Sequence, residues 1–346
     1  MLKNSHFVSA IKKSVKKSSG MTMIELLMAG TIVAIIVPIM VLLINATING
    51  FTTFDAQQQI KGANQQLLNN IYSNLVLSKR IFQNTASDNA FLNKISLSNL
   101  PSRISTSQLP VIVSSGSLSP NSAGFNPANV GNSLFFVGHS TTSILNGVAG
   151  STTTVMIDGY TFIYYYLTPQ YSAGLLRTTS YNVYRWESVT YADYQQLTSF
   201  SNTTEQKNIA KQLYSDNITN LFDPSQTSVT NAFYTVNSAG AISSSSNNLI
   251  NNPGGSKLMI NIITGITGGG FRYGIAPNSS IWPSNPKTVP LYATASGVFP
   301  AGFEVAVEGQ AGGRQVLVRS VIVAQGSMKA IPASDQVIIA SATDLW

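Results

Sequence analysis

The chain has 346 residues, of which 44% are apolar and only 10% charged, with 20 Lys and Arg against 13 Asp and Glu for a net charge of +7. That length accommodates one large or two ordinary domains, and the absence of cysteine excludes a disulfide framework and any thiolate-based zinc site. The basic excess sits at one end: Lys3, Lys12, Lys13, Lys16 and Lys17 lie within the first 20 residues, which hold no acid, so the remainder carries 15 basic against 13 acidic side chains and shows no nucleic-acid-binding stripe.

Beyond Gly20 the sequence MTMIELLMAG, TIVAIIVPIM, VLLIN contains one charge, Glu25, before Asp55. Leu26 to Ile44 is predominantly apolar, and at about 1.5 Å per residue a helix of that length crosses roughly 30 Å of hydrocarbon. A transmembrane segment is predicted over about 26–44. Lysines precede it closely and no Lys or Arg follows before Lys61, which predicts a cytoplasmic N-terminus and an extracytoplasmic remainder. The run is longer than the core of a secretory signal peptide, and no Ala-x-Ala-like site follows it. A carboxylate one turn into such a helix is costly unless paired, which marks Glu25 as a functional residue.

These residues resemble the type IV pilin and pseudopilin family: a Lys-rich leader, Gly20, then Met21-Thr22-Met23-Ile24-Glu25-Leu26-Leu27, with Pro38 further along. The resemblance implies a leader peptide at 1–20 that a prepilin peptidase removes between Gly20 and Met21, followed by N-methylation of the new terminus. It implies that Glu25 pairs with the terminal ammonium of a neighbouring subunit, with Thr22 and Pro38 also matching the assembly segment. Met21 stands where the family most often has Phe, and this leader exceeds the shortest ones. The implied fold is α+β: an N-terminal helix over 21–84, membrane-spanning in its first half, packed on a β-rich extracytoplasmic head over 85–346. The implied function is a minor filament subunit, held in the bacterial inner membrane by its helix until an assembly platform packs it with other pilin or pseudopilin subunits into a pilus or a type II secretion pseudopilus. Many pilins carry a C-terminal cysteine pair, which is lacking here.

After the apolar run, residues such as Ile60, Leu67, Leu68, Ile71 and Leu75 recur mainly at helical steps with Gln and Asn between them, predicting continuous helix to about Phe82. Gly50 and Gly62 are its weak points, each costing up to about 1 kcal/mol relative to Ala. From Gln83 to Asn132 a Ser-, Asn- and Pro-rich texture predicts an elaborated connection with one or two short strands. Strands are then predicted at Ser133–Val137, Thr153–Ile157, Tyr160–Leu167 and Tyr181–Trp186. Tyr160, Phe162, Tyr164 and Tyr166 share one face of their strand, an aromatic stripe that fills a sheet face more often than it binds sugar or nucleobases. Between Asn202 and Leu221 a short amphipathic helix is predicted, capped by Thr203 or Thr204. Ala232–Val236 and Leu258–Ile263 follow as strands, separated by a polar loop over 237–252. Gly265, Gly268, Gly269 and Gly270 lack the Lys and Ser/Thr of a phosphate loop and predict a turn. Phe303–Gly309 and Gln315–Val323 form a hairpin pattern, with a last strand at Val337–Ala340. The large β-rich body loosely resembles PilW-like minor pilins and J-type minor pseudopilins.

The head offers little chemistry. Once a leader containing His6 is gone, His139 is the only histidine, so a Ser-His-Asp relay has a single imidazole available, and a surface or hydrogen-bonded role is expected for it. Paired carboxylates are conceivable among Asp158, Glu187, Asp193, Glu304 and Glu308, and Asp216, Asn217, Asn220 and Asp223 lack the order of a calcium-binding loop. No cofactor, metal or catalytic activity is expected. Two other functions stay open: an adhesin or binding module at a pilus tip, suggested by the size of the head, and a membrane-tethered glycosidase.

Overall fold

The computed structural model describes residues 22–119, 126, 128–145, 154–172, 175–260, 272–275, 302–325 and 333–344. The chain divides into two compact units, Met1–Thr52 and Thr53–Trp346. Helix α1 (Met23–Val76) contributes to both. In the first unit every described side chain from Thr22 to Phe51 is exposed, including most of its Ile, Val, Leu and Met residues at about half exposure or more. Pro38 lies inside this stretch and withholds an amide from the carbonyl four residues earlier. Thr31 and Thr47 turn their hydroxyls back onto the helix, Thr31 to the Leu27 and Met28 carbonyls and Thr47 to that of Leu43. These bonds keep polar groups satisfied on an otherwise apolar rod.

The second unit is α+β. Helix α1 was expected to continue to Phe82 but ends at Val76, and β1 (Ser78–Ile81) replaces its last turn. The reason is tertiary pairing. Ser78, Arg80 and Ile81 are buried against β3 (Leu134–Leu145), a gain that outweighs the weak local preference for another helical turn. The 83–132 connection holds α2 (Ala86–Leu92), capped by Thr85, and the short strand β2 (Ile112–Val113).

The sheet is built on β3, β4 (Val155–Ser172) and β5 (Leu175–Glu187), antiparallel throughout. Two strands expected at 153–157 and 160–167 are one. The Asp158-Gly159 step read as a separator runs through, because Gly159 lets Thr190 and Thr141 approach to where a Cβ would lie at 2.7 and 2.8 Å. Next come β6 (Tyr191–Asp193), helices α3 (Tyr194–Thr198) and α4 (Thr203–Ser215), β7 (Asn220–Phe222), β8 (Phe233–Val236) and β9 (Ile242–Ser244). Asn202 caps α4 instead of the expected threonines, accepting from the Thr204 amide at 2.9 Å and the Glu205 amide at 3.4 Å. Part of the polar 237–252 stretch joins the sheet as β9, and Leu249 is buried. Strand β10 (Lys257–Leu258) does not include Met259 or Ile260 of the strand expected over 258–263, and residues 261–263 and the glycine cluster at 265–270 lie outside the described residues. Strand β11 (Arg272–Ile275) links β5 to the C-terminal hairpin of β12 (Phe303–Glu308) and β13 (Arg314–Gln325), and β14 (Ala333–Ala342) pairs along β13. Glu308 faces Gln315 at the hairpin end, where Gly309 and Gly312 take positive φ of 105° and 86°.

Strand β4 is buried on both faces. Ile163, Tyr165 and Leu167 join Ile60, Leu67, Leu68, Ile71 and Leu75 of α1 and the valines of β12 and β13 in one core. Phe162, Tyr164 and Tyr166 join Phe82, Phe91, Phe135, Trp186, Phe222 and Phe233 in another. The aromatic stripe is therefore interior, and its hydroxyls end on fixed partners: Tyr166 donates to the Pro101 carbonyl and Tyr164 meets the Ser107 hydroxyl.

Candidate functional site

Of the residues that the sequence singles out at the N-terminus, Gly20 and Met21 lie outside the described residues, whereas Thr22, Glu25 and Pro38 are described. Thr22 and Glu25 interact with each other. The Thr22 amide donates to Glu25 Oε2 at 2.9 Å, and the Glu25 amide reaches back to Thr22 Oγ1 at 3.4 Å. This reciprocal arrangement is a capping box, which satisfies two of the amides that every helix start leaves open and places a negative charge at its positive end. The spacing Thr-x-x-Glu before an apolar run carries that signal in the sequence itself. The carboxylate therefore has a local role as well as any role across a subunit boundary. A carboxylate offers about four lone-pair sites, so one cap bond leaves room for a further donor.

The other half of the site is the apolar rod beyond Glu25. The helix is long and apolar enough to cross a membrane, and the apolar stretch that qualifies it has no buried residue. Met23, Ile24, Leu26, Leu27, Leu42 and Leu43 are each more than 60% exposed. Monomeric soluble proteins rarely expose continuous apolar surface on this scale.

Several of the described carboxylates of the head are fixed by structural partners. Glu304 lies opposite Arg319 across the hairpin, 3.4 Å away and fully buried. Glu187 contacts Arg185 at 2.5 Å, and Asp193 caps α3 while accepting the Tyr160 hydroxyl at 2.7 Å. Burial and the bond to Asp193 push the Tyr160 hydroxyl well above its ordinary range. Glu308 lies beside Gly116, whose positive φ and lack of a Cβ admit it. Asp223 accepts from the Ser225 amide and hydroxyl and from Gln226, a closed polar turn, and Asp216 ends α4. Among the described residues no group of three or more His, Cys, Asp or Glu converges on a metal position.

His139 is hydrogen-bonded and partly exposed, as expected. Its Nε2 lies 3.1 Å from Thr142 Oγ1 and 3.3 Å from Asp158 Oδ1, and Thr142 donates to the same carboxylate oxygen at 3.0 Å. Gln196 holds the other Asp158 oxygen at 2.8 Å and accepts the Asp158 amide at 2.7 Å. Burial raises the Asp158 carboxyl, but bonds from Gln196, Thr142 and His139 and the imidazole's charge outweigh it and hold the group below its ordinary value. Since one nitrogen of His139 meets both oxygens, the trio does not form a nucleophile–base–acid relay, in which opposite ring nitrogens face the two partners. No family model, curated protein or solved structure matches the chain.

Proposed function

We propose that the chain is a type IV pilin-like minor filament subunit. It is cut by a prepilin peptidase after Gly20, anchored in the bacterial inner membrane with its head outside, and assembled through its N-terminal helix into a pilus or a secretion pseudopilus. The observation that carries this reading is the exposed apolar helix from Met23 to Phe51 with Glu25 as its single charge. Lipid covers such a surface before assembly, and neighbouring helices cover it afterwards. Glu25 is then the residue whose charge finds the terminal ammonium of another subunit, while its bond to Thr22 fixes where the carboxylate points. The reading assigns the head a surface role and no catalysis.

Mass spectrometry of the chain recovered from membranes and from sheared filaments of its own cells tests this. The expected mature form begins at a methylated Met21 and occurs in both fractions. An intact Met1 terminus in membranes, together with absence from filaments, would sink the proposal.

A further inference from the structure

The contact between β3 and β4 contains one irregularity. Pairing runs from His139 opposite Tyr160 directly to Thr141 opposite Gly159, so Ser140 is the extra residue of a β-bulge. In a regular strand, residues three apart point to opposite faces. The bulge reverses that alternation and brings His139 and Thr142 to the same side, where Asp158 lies directly opposite Thr142. Bulges of this kind re-aim side chains, and they recur next to functional sites.

The three donor atoms form a nearly regular triangle, with edges of 3.0, 3.1 and 3.3 Å. Ligands held about 2.1 Å from one ion lie roughly 3.0 Å apart at right angles and roughly 3.4 Å apart at tetrahedral angles. The triangle falls within that window. A charge-assisted imidazole–carboxylate bond contracts to about 2.7–2.9 Å, and this pair is wider. Asp158 is oriented from outside the triangle, as ligating carboxylates are. Gln196 grips the distal Asp158 oxygen and the Asp158 amide, and its own amide is fixed by Asp193, which is 4% exposed and also holds Tyr160. The His139 and Asp158 side chains are 29% and 30% exposed, so solvent reaches the open side of the triangle.

We propose that His139 Nε2, Asp158 Oδ1 and Thr142 Oγ1 form a three-donor site for a first-row divalent metal ion, with water completing its shell. One imidazole nitrogen and two oxygens suit manganese or zinc better than calcium, whose sites are built from oxygen alone. Gln196 is a positioning residue here, acting through Asp158.

The test is metal titration of the full-length chain in detergent micelles, without a polyhistidine tag. Loss of the free Mn²⁺ electron paramagnetic resonance signal reports binding, and Zn²⁺ is added as competitor. One ion per chain is expected, displaced by zinc. His139→Gln and Asp158→Asn should weaken binding roughly tenfold or more, Gln196→Leu by roughly tenfold, Thr142→Val measurably, and Thr142→Ser and His6→Ala not at all. Thr142→Val and Thr142→Ser keep the strand's shape, so the comparison survives any folding defect in the other variants. Wild-type protein that takes up neither ion at millimolar concentration overturns the site. So does equal binding by the Val and Ser variants.

Discussion

Asn64, fully buried on α1, donates its side-chain amide to the Ser320 carbonyl of β13 at 2.9 Å and to the Ser334 carbonyl at 3.0 Å. A polar group so deep in the Ile60–Leu75 face holds the helix in one register over the sheet, because sliding by one turn would leave amide and carbonyls unpaired. Truncating a buried donor of this kind costs about 1–3 kcal/mol. Asn64→Ala is therefore expected to lower the denaturation midpoint of the chain with little change in slope, and Asn64→Leu to do the same despite its added apolar surface.

The apolar run, Glu25 and the period of Ile60, Leu67, Ile71 and Leu75 locate the helix and its buried face from sequence alone, and the alternation through Tyr160–Leu167 locates the central strand. The end of α1 was not legible, since Phe82 continues the helical spacing and only the pairing of Ser78–Ile81 with β3 turns the preceding segment into a strand. Nor was the His139 cluster. Thr142 lies three residues away, which in an ideal strand means the opposite face, and no local signal marks Ser140 as the extra residue. The Thr22–Glu25 cap is written plainly in the sequence, but the cost of a lone carboxylate within an apolar helix overshadows it there.

Arg80 is buried in an aromatic slot. Its guanidinium lies 4.7 Å from the ring centres of both Phe82 and Phe91, 3.0 Å from Asp88, and 2.6 Å from the Gln226 carbonyl. Asp88 also accepts the Gln83 amide at the start of α2. Removing one member of such a pair costs about 3–5 kcal/mol, because the other charge stays buried. Asp88→Asn keeps the shape and loses the charge, and it is expected to destabilise by that order in urea titrations. Arg80→Met combined with Asp88→Asn should recover a large part of the loss, and strict additivity of the two changes would contradict a direct pair.

Tyr191 supplies a test by pH. Burial pushes its hydroxyl up to about 12, although the Ile250 amide bonded to its oxygen works the other way. A phenol harder to ionise when folded contributes stability that is complete below its unfolded value near pH 10 and is lost as pH rises towards 12, about 2–3 kcal/mol in all. Tyr191→Phe should flatten the fall in thermal stability between pH 10 and 12. Tyr160, Tyr165 and Tyr166 are raised in the same direction, so the slope is expected to shrink and not to vanish.

Gly131 sits where a Cβ would meet the Pro110 nitrogen at 2.4 Å and the Leu109 carbonyl carbon at 2.7 Å. Both are backbone atoms, and Gly131 is itself fixed by paired bonds to Val305. Relief requires the 108–110 segment to move off the sheet. Gly131→Ala is expected to cost about 1–3 kcal/mol or more, as overpacking does, and to raise amide exchange at Val111 and Val305 ahead of the rest of the sheet. Uniform exchange would mean that the segment yields freely.

The capping role of Glu25 and its proposed role in assembly can be separated by one atom. A capping box works with Gln as well as Glu at its third helical position, because either side chain can accept the Thr22 amide. Pairing with a buried ammonium needs the negative charge. Glu25→Gln therefore keeps the cap and removes the counter-charge, whereas Thr22→Val removes the hydroxyl and spares the charge. If assembly rests on charge, Glu25→Gln and Glu25→Ala are both expected to leave membrane levels unchanged and to abolish recovery in sheared filaments. Thr22→Val should reduce recovery only modestly, since losing a cap costs about 1 kcal/mol. Normal incorporation of the Gln variant would reduce Glu25 to a helix cap and remove the intermolecular role. Equal loss in the Val and Gln variants would mean that assembly needs the Thr22 hydroxyl bond at the helix start as well as the charge.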